Sequence, residues 1–334
     1  MSPSRRTSQG GLIVRIWSGV LFCLLPLSNS VLAQEAFGPV ALEVRLEIEK
    51  PGLVLGEPVY ATVRLRNVGK MPVDVPTLLD PQTGVIHIEV SSSSRPRFVF
   101  LPLFYADTLR ARTALAPGDE IAAAFPIFYG ALGWTFDRSG DYRVSVEYRT
   151  PSAEQVRLVP ASTVAVTVAD GGGAGASLVT TGSASEEAGK FLLWQRGDQL
   201  HAGQALLTDL LRRYPDSPLT DYARLAFGRN LSRSFRNYAT GKVRQADCEP
   251  ALNAFQKVRS DRLPVLLRIQ QRLDEARCYV RLSRPAQAQE SMKKAEQLAD
   301  DRPEFRLLFQ QAIRLEPALD TMVTIAPARE KPAL

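Results

Sequence analysis

The sequence predicts a two-domain protein in which an all-β sandwich is followed by an all-α array of helices. Three observations predict this fold class. Apolar and polar residues alternate with a period of two up to residue 170, a glycine- and serine-rich stretch follows, and beyond residue 186 apolar residues recur with a period of about 3.6. The chain has 334 residues, of which 45% are hydrophobic. It is therefore long and apolar enough to form two hydrophobic cores.

The first 33 residues have the composition of a secretory signal peptide. They begin with three arginines and no acid, continue with an apolar run over 16–27, and end in the small-residue cleavage sequence Val31-Leu32-Ala33. The apolar run is shorter than the roughly 20 residues that a membrane span requires. We therefore expect residues 1–33 to be cleaved, which leaves a periplasmic or secreted protein with no transmembrane span.

Removal of this leader changes the charge of the chain. Its formal net charge of +6 comes from 41 basic and 35 acidic residues, and the leader contains three of the basic ones. The mature chain is close to neutral, at about +3. A nucleic-acid partner is not expected for an exported protein with this charge.

Alternating segments mark the strands of the β region, which spans residues 34–170. They lie at 42–48, 59–65, 86–90, 142–148 and 164–168, with shorter candidates at 98–101 and 121–128. Turn signals such as Pro51-Gly52 separate them. Seven or eight short strands without a convincing helix are typical of two packed antiparallel sheets.

Two segments of the β region resemble immunoglobulin-like domains. The sequence Asp137-Arg-Ser-Gly-Asp-Tyr-Arg-Val144 resembles the corner at which a tyrosine, here Tyr142, bonds back to nearby backbone. The segment 56–67 resembles the second strand of such modules in exported bacterial proteins. The resemblance implies an immunoglobulin-like β-sandwich over 34–170. Val144 stands where antibody domains have a cysteine, so the inter-sheet disulfide is not expected.

Residues 171–185 are rich in glycine, serine and alanine, and this composition predicts a flexible linker. The helical region then extends over 186–316 and contains a repeated pattern, in which a small residue is followed by an apolar one four positions later and another three positions after that. The three copies are Gly203, Leu207 and Leu210; Ala251, Phe255 and Val258; and Ala288, Met292 and Ala295. Residues 317–334 are expected to form a C-terminal tail.

This pattern resembles the second helix of tetratricopeptide repeats, and the segment 276–288 is the closest match to the whole motif. The resemblance implies stacked antiparallel helix pairs with a short groove for peptides or partner helices. The middle unit departs from it, because an insertion of about eleven residues lies between Leu231 and Ala251.

Cys248 and Cys278 are the cysteines that remain after leader removal. If the helices near 249–259 and 264–282 are antiparallel, position 248 faces a position about one turn from Cys278. The sequence therefore predicts a Cys248–Cys278 disulfide, as expected in an oxidising compartment. The alternative is a pair of separate buried thiols.

No catalytic, cofactor-binding or metal site is predicted. The only histidines, His87 and His201, belong to different domains, and neither has a nucleophile at motif spacing. The oxygen-bearing residues Asp137, Ser139 and Asp141 have too few carboxylates at the right spacing for Ca²⁺ and are better explained as an ordinary turn. The chain is therefore not expected to be an enzyme.

The segment 222–245 is the strongest candidate binding site in the sequence. It combines basic and aromatic side chains and contains no acidic residue. The predicted partner-binding residues are Arg224, Arg229, Arg233, Phe235, Arg236, Tyr238, Lys242 and Arg244. They would suit an anionic envelope surface or an acidic protein segment. The alternative is a solvated helix face whose arginine stems cover apolar surface.

Two functional hypotheses follow. The first is a non-catalytic adaptor or scaffold of the bacterial cell envelope that binds protein partners through the helical-repeat groove. The second is a protease-inhibitor-like or ligand-binding sandwich, with the repeats as a docking domain. Its binding loops would be the apolar segments 98–105 and 129–134, for which core or inter-domain packing is the alternative.

Overall fold

A computed structural model describes residues 41–106, 111–149, 157–159, 163–180, 182–237 and 240–300, together with 302, 305, 306, 309, 310 and 313. The predicted signal peptide and C-terminal tail lie outside these residues. The described residues of both the β-rich and the helical region belong to one compact unit.

Two main sheets form the β-rich region. The strands are β1 (Ala41–Ile48), β2 (Gly52–Val54), β3 (Tyr60–Asn67), β4 (Val73–Pro76), β5 (Ile86–Ser92), β6 (Arg95–Val99), β7 (Arg112–Leu115), β8 (Glu120–Pro126), β9 (Tyr129–Gly130), β10 (Gly133–Trp134), β11 (Gly140–Tyr148), β12 (Arg157–Val159) and β13 (Val164–Ala169). One sheet has the order β12-β1-β3-β8, and the other has the order β2-β13-β11-β5-β6. Short ribbons pair β4 with β7 and β9 with β10.

The predicted alternation is confirmed in the main strands. Val44 and Leu46 of β1 and Val144 and Tyr148 of β11 are buried in one shared core, whereas intervening residues such as Arg45 are exposed. Because side chains alternate between the two faces of a strand, this pattern places one face of each sheet against the core and intervening residues such as Arg45 on the opposite face.

Helices form the second half of the chain. They are α1 (Ala174–Thr180), α2 (Gly182–Trp194), α3 (His201–Arg213), α4 (Leu219–Ser232), α5 (Cys248–Gln256), α6 (Val265–Arg281) and α7 (Pro285–Asp300). Helix α2 packs on α3, α4 on α5, and α6 on α7. The small residues of the repeated pattern, Gly203, Ala251 and Ala288, are buried. At Gly203, for example, an added Cβ would stand 2.4 Å from the backbone of α2, so only glycine permits this close approach.

The prediction of a flexible linker over 171–185 is wrong. Helix α1 and the first turn of α2 occupy this segment, so the helical region begins at residue 174 instead of 186. Ala174 and Leu178 are buried, and an added Cβ at Gly175 would lie 2.2 Å from the carbonyl oxygen of Leu55. The small residues of this segment therefore permit close packing on the sandwich.

The insertion between α4 and α5 forms a short hairpin of β14 (Phe235–Arg236) and β15 (Val243–Arg244). Immediately after it, Cys248 at the start of α5 and Cys278 in α6 lie at disulfide distance, with their Cα atoms 5.0 Å apart. Both cysteines are buried. The predicted pairing therefore joins the second helix pair to the third.

Candidate binding surfaces

Hydrogen bonds join one face of the helical region to the sandwich. The indole nitrogen of Trp134 donates to the Ser185 hydroxyl of α2 at 2.9 Å. The Tyr222 hydroxyl of α4 donates to the Glu57 carboxylate at 3.0 Å. The backbone N–H of Val265, at the start of α6, donates to the Glu49 carboxylate at 3.1 Å. The first helix of each pair is thus bound to the sandwich.

Apolar contacts reinforce this interface. An added Cβ at Gly189 of α2 would lie 2.3 Å from the Tyr129 ring, so the aromatic ring packs directly on the helix backbone. Tyr60 and Ala124, from β3 and β8, pack against the core cluster that contains Ile269 and Leu273 of α6. The surface that these helices would offer to a partner is therefore occupied, along these contacts, by the chain itself.

Glu57 is the buried centre of the interface. Its side chain is 0% exposed and forms an ion pair with Lys50 at 2.5 Å. It also accepts a hydrogen bond from the Val54 backbone N–H at 3.0 Å. Burial raises the pKa of Tyr222 well above its usual value, and the adjacent Glu57 carboxylate adds to this effect. The tyrosine therefore stays protonated and donates to the carboxylate, which satisfies a buried acid.

The predicted basic residues Arg229 and Arg233 bind the same buried acid. Asp274 of α6 accepts from the Arg229 Nε at 2.7 Å and from an Arg233 terminal nitrogen at 2.8 Å. Arg277 contributes a third contact, also at 2.8 Å. Arg229 is buried and donates in addition to the side-chain oxygens of Gln195 and Gln270.

The electrostatics of this cluster follow from its burial and its excess of arginines. Burial alone would raise the pKa of Asp274, but Arg233, Arg229 and Arg277 outweigh it and lower the pKa to about 2. Burial, together with the nearby Arg233, lowers the pKa of Arg229 to about 10. Both groups are consequently charged at neutral pH and form a buried ion pair.

Arg244, another predicted residue, binds polar groups near the C-terminal end of α4. Its Nε donates to Asp198 at 2.7 Å, and a terminal nitrogen donates to the Asn230 carbonyl at 2.8 Å. Arg281 donates to the carbonyl of Ser232 at 2.8 Å. Carbonyls in the last turn of a helix lack intrahelical donors, and cations are favourable there. These arginines therefore stabilise the helix end from outside.

The remaining predicted residues are dispersed. Arg224 donates to the Thr220 hydroxyl at 3.2 Å. Phe235 is half-buried, whereas Arg236 and Lys242 are exposed in the hairpin segment. Tyr238 lies outside the described residues. The structure thus brings Arg229, Arg233 and Arg244 together at the end of α4, but it engages their guanidinium groups within the chain, and partner binding by this segment stays a prediction.

An exposed apolar surface lies instead on the sandwich. We call it the loop face and define it by Val99, Leu101, Phe104, Tyr105 and Leu132. Phe104, Tyr105 and Leu132 are 51%, 61% and 57% exposed. The two loops that carry these residues are in direct contact, because the backbone N–H of Ala131 donates to the carbonyl of Leu101 at 2.8 Å.

Neighbouring residues of these two loops have a different role. Phe100, Tyr129 and Trp134 are buried in the core. The packing alternative considered from the sequence therefore holds for these three aromatic residues, while the loop face is left in solvent. The buried rings fix the loop backbones and present the exposed side chains from a rigid base.

An open groove lies in the helical region. It lies over α6 between α5 and α7 and has a volume of about 440 Å³. Its floor includes Gln271, which donates to the Phe255 carbonyl at 3.3 Å and to Glu275 at 2.9 Å, and which accepts from Ser260. The polar groups of the floor therefore bind one another.

The histidines and the predicted turn acids have local partners or lie in solvent. His87 Nε2 is 3.0 Å from the Gly84 carbonyl oxygen, and His201 is exposed at the start of α3. Asp141 accepts from the Thr167 hydroxyl at 2.7 Å. Among the described residues, no group of three or more His, Cys, Asp or Glu side chains could hold a metal ion. Within the same residues, no helix is long and apolar enough to cross a membrane.

Comparisons with known proteins give only weak structural similarities. No protein family and no curated protein was found to match the chain. A β-glucosidase from Listeria innocua, solved with glucose, is 16% identical with a TM-score of 0.24; the match covers 38% of this chain and 16% of the enzyme. The CARDB domain of a Pyrococcus furiosus protein, solved with di-metal ions, is 15% identical with a TM-score of 0.22; the match covers 40% of this chain and 96% of the domain. At these TM-scores neither similarity carries an argument about function.

Proposed function

We propose that the protein is an exported, non-catalytic adaptor that binds a protein partner through the loop face, with the helical region as a rigid support for the sandwich. One observation carries this proposal: among the described residues, five of the eight large hydrophobic side chains that are exposed belong to the loop face. Exposed apolar groups concentrated at one place are characteristic of protein interaction sites, where aromatic residues contribute most of the binding energy.

The finer assignments are part of the same proposal. An immunoglobulin-like sandwich is supported by the Tyr142 hydroxyl, which donates to the Arg138 carbonyl at 2.9 Å as in a tyrosine corner. Tetratricopeptide-like repeats are supported by three packed helix pairs with buried small residues. The cysteine pair at disulfide distance supports export to an oxidising compartment.

The proposal is tested by crosslinking the purified chain to cell-envelope extracts and identifying the captured proteins by mass spectrometry. The double variant Phe104→Asp, Leu132→Asp places two charges on the loop face. Val243→Asp is a matched control, because Val243 is 53% exposed and lies in the β14–β15 hairpin. We expect the double variant to lose a captured protein that the wild type and the control both retain. Identical captures from all three proteins would overturn the proposal.

A second candidate surface is the groove between α5 and α7, which preserves the idea of binding through the helical repeats. Its volume of about 440 Å³ lies within the range of known ligand sites, roughly 300–1,000 Å³. Ala286 is exposed at its edge, so Ala286→Trp would fill the groove and leave the loop face intact. Loss of capture in this variant alone would assign the partner to the groove. Protease inhibition, the other form of sandwich binding, is checked by adding the chain to protease assays.

A further inference from the structure

A small pocket adjoins the loop face where the sandwich loops meet helix α2. Its volume is about 110 Å³. Five aromatic side chains line it, namely Phe100, Phe104, Phe125, Tyr129 and Trp194, and Asp80 supplies a carboxylate. The volume is below the roughly 300 Å³ at which small-molecule sites begin. The pocket therefore has room for about one side chain.

Asp80 is the chemically distinctive residue of this pocket. One of its carboxylate oxygens accepts a hydrogen bond from the Gln82 backbone N–H at 2.7 Å. This bond caps the short 3-10 helix Pro81–Thr83. Within the described residues no Lys, Arg or His forms an ion pair with Asp80, although most acids near it in sequence have such a partner, as Asp74 has in Arg112. Burial raises the pKa of the Asp80 carboxyl. A half-buried carboxylate without a cation is an unfavourable arrangement that a cationic ligand relieves.

We propose that this pocket receives a lysine or arginine side chain from an extended segment of the protein partner. The aromatic faces attract the cationic group, and Asp80 supplies the opposite charge. The aliphatic stem of the basic residue lies along the apolar walls. An apolar side chain in the same place would remove Asp80 from water without compensating its charge.

The loop face explains why the basic residue would belong to a polypeptide. Leu101 and Tyr105 are exposed within the same chain segment as the pocket residues Phe100 and Phe104, so residues flanking the inserted side chain would contact them. An anchor in a pocket surrounded by apolar contacts is the usual arrangement of an interface hot spot. This inference rests on the proposed function, and it adds the chemistry of the partner segment.

The test uses the full chain, with N-acetyl-arginine methylamide as the cationic probe. N-acetyl-citrulline methylamide has nearly the same shape without the charge and is the matched neutral probe. The indole N–H signal of Trp194 is followed by NMR, with the Trp134 signal as an internal reference, because the Trp134 indole is already bonded to Ser185. We expect saturable shifts of Trp194 with the arginine probe, and at least tenfold weaker binding of the citrulline probe.

Asp80→Asn is the decisive variant, because asparagine retains an oxygen that can accept from Gln82 and so preserves the turn. Asp74→Asn is the control for loss of a surface carboxylate. Asp80→Asn should weaken binding of the arginine probe at least tenfold, while Asp74→Asn should leave it unchanged. Absence of saturable arginine binding, equal binding of both probes, or unchanged binding in Asp80→Asn would overturn the inference.

The same variant separates this inference from the proposed function. If Phe104→Asp, Leu132→Asp abolishes partner capture while Asp80→Asn leaves both capture and probe binding unchanged, the loop face binds a partner and the pocket does not hold a basic residue. If the double variant has no effect on capture, the adaptor proposal fails regardless of the probe result.

Discussion

Asp274 holds together two neighbouring helix pairs. Its side chain is 0% exposed and binds arginines of α4 and α6 as well as Arg233 at the end of α4. Replacement by asparagine removes the negative charge that Arg229, Arg233 and Arg277 share, and Arg229 then lies buried without the carboxylate that it binds in the wild type. Breaking a buried ion pair from one side typically costs about 3–5 kcal/mol. We therefore expect Asp274→Asn to lower the free energy of unfolding by this amount, measured by urea denaturation.

Asp209→Asn is the matched control for this prediction. Asp209 also binds two arginines, Arg212 and Arg213, but the contacts lie on the exposed surface of α3. Surface ion pairs contribute little because water screens them. A loss of stability in Asp274→Asn no larger than that in Asp209→Asn would show that the buried cluster does not stabilise the fold.

The pH dependence of stability gives a second prediction for Asp274. Its pKa is about 2 in the folded chain, below the ordinary value of 3.8. Between pH 4 and pH 2 the unfolded state therefore binds more protons, and stability falls as the pH falls. The corresponding change is about 2 kcal/mol. The stability difference between the wild type and Asp274→Asn should shrink by this amount from pH 5 to pH 2, as measured by urea denaturation. A stability difference that stays constant between pH 5 and pH 2 would contradict this prediction.

The sequence located these arginines but not their role. Segment 222–245 looked like a free basic surface because its acidic partners lie elsewhere in the chain. Asp274 is 45 positions from Arg229, and Asp198 is 46 positions from Arg244. Local composition cannot show a charge that the fold brings from another helix. Asp80 was missed for the converse reason, since its significance depends on aromatic residues of other segments that line the same pocket.

The Cys248–Cys278 pair joins the second helix pair, α4 and α5, to the third. Cys248 and Cys278 are separated by 30 positions. Closing a loop of this length stabilises the folded chain by about 3 kcal/mol. The double variant Cys248→Ala, Cys278→Ala should therefore unfold at a lower urea concentration than the oxidised wild type. In the presence of a reductant the two proteins should differ much less; a difference of the same size with and without reductant would indicate a packing effect instead.

The strands were predictable because alternation depends only on local sequence. The segments around β1, β3, β5, β11 and β13 each place every second residue in the core. Helix α1 was not predictable in the same way. Glycine, alanine and serine occur both in flexible linkers and where a helix packs tightly on another backbone. Tertiary contacts, such as that of Gly175 with the Leu55 carbonyl, distinguish the two cases.

The two halves of the chain form one compact unit because each buries part of the other. Glu49 accepts from the first N–H of α6, so a sandwich residue caps a helix whose own cap residue, Pro264, makes no side-chain hydrogen bond. The predicted order of a β-rich region followed by a helical region is confirmed, but periodicity shows only which face of an element is apolar and not which element covers it. Tyr222, for example, belongs to helix α4, yet its hydroxyl binds Glu57 of the sandwich.

This arrangement predicts that the sandwich and the helices unfold together. Gly175→Ala tests the prediction at their contact. In an ordinary helix, alanine is more favourable than glycine by about 1 kcal/mol. Here the added Cβ would stand 2.2 Å from a backbone oxygen, which cannot rotate away. Overpacking of this kind costs about 1–3 kcal/mol, so we expect a net loss of stability.

Pulse-labelling hydrogen exchange across a urea series would report the strands and helices separately. In the wild type both should lose protection at one midpoint, and in Gly175→Ala both should shift together to lower urea, because neither half retains its burial without the other. Gly52→Ala is the control, since its Cβ would have no atom within 4 Å. Separate midpoints for strands and helices in the wild type would mean that the interface is too weak for the helical region to serve as a rigid support, and the adaptor would then act as two independent modules.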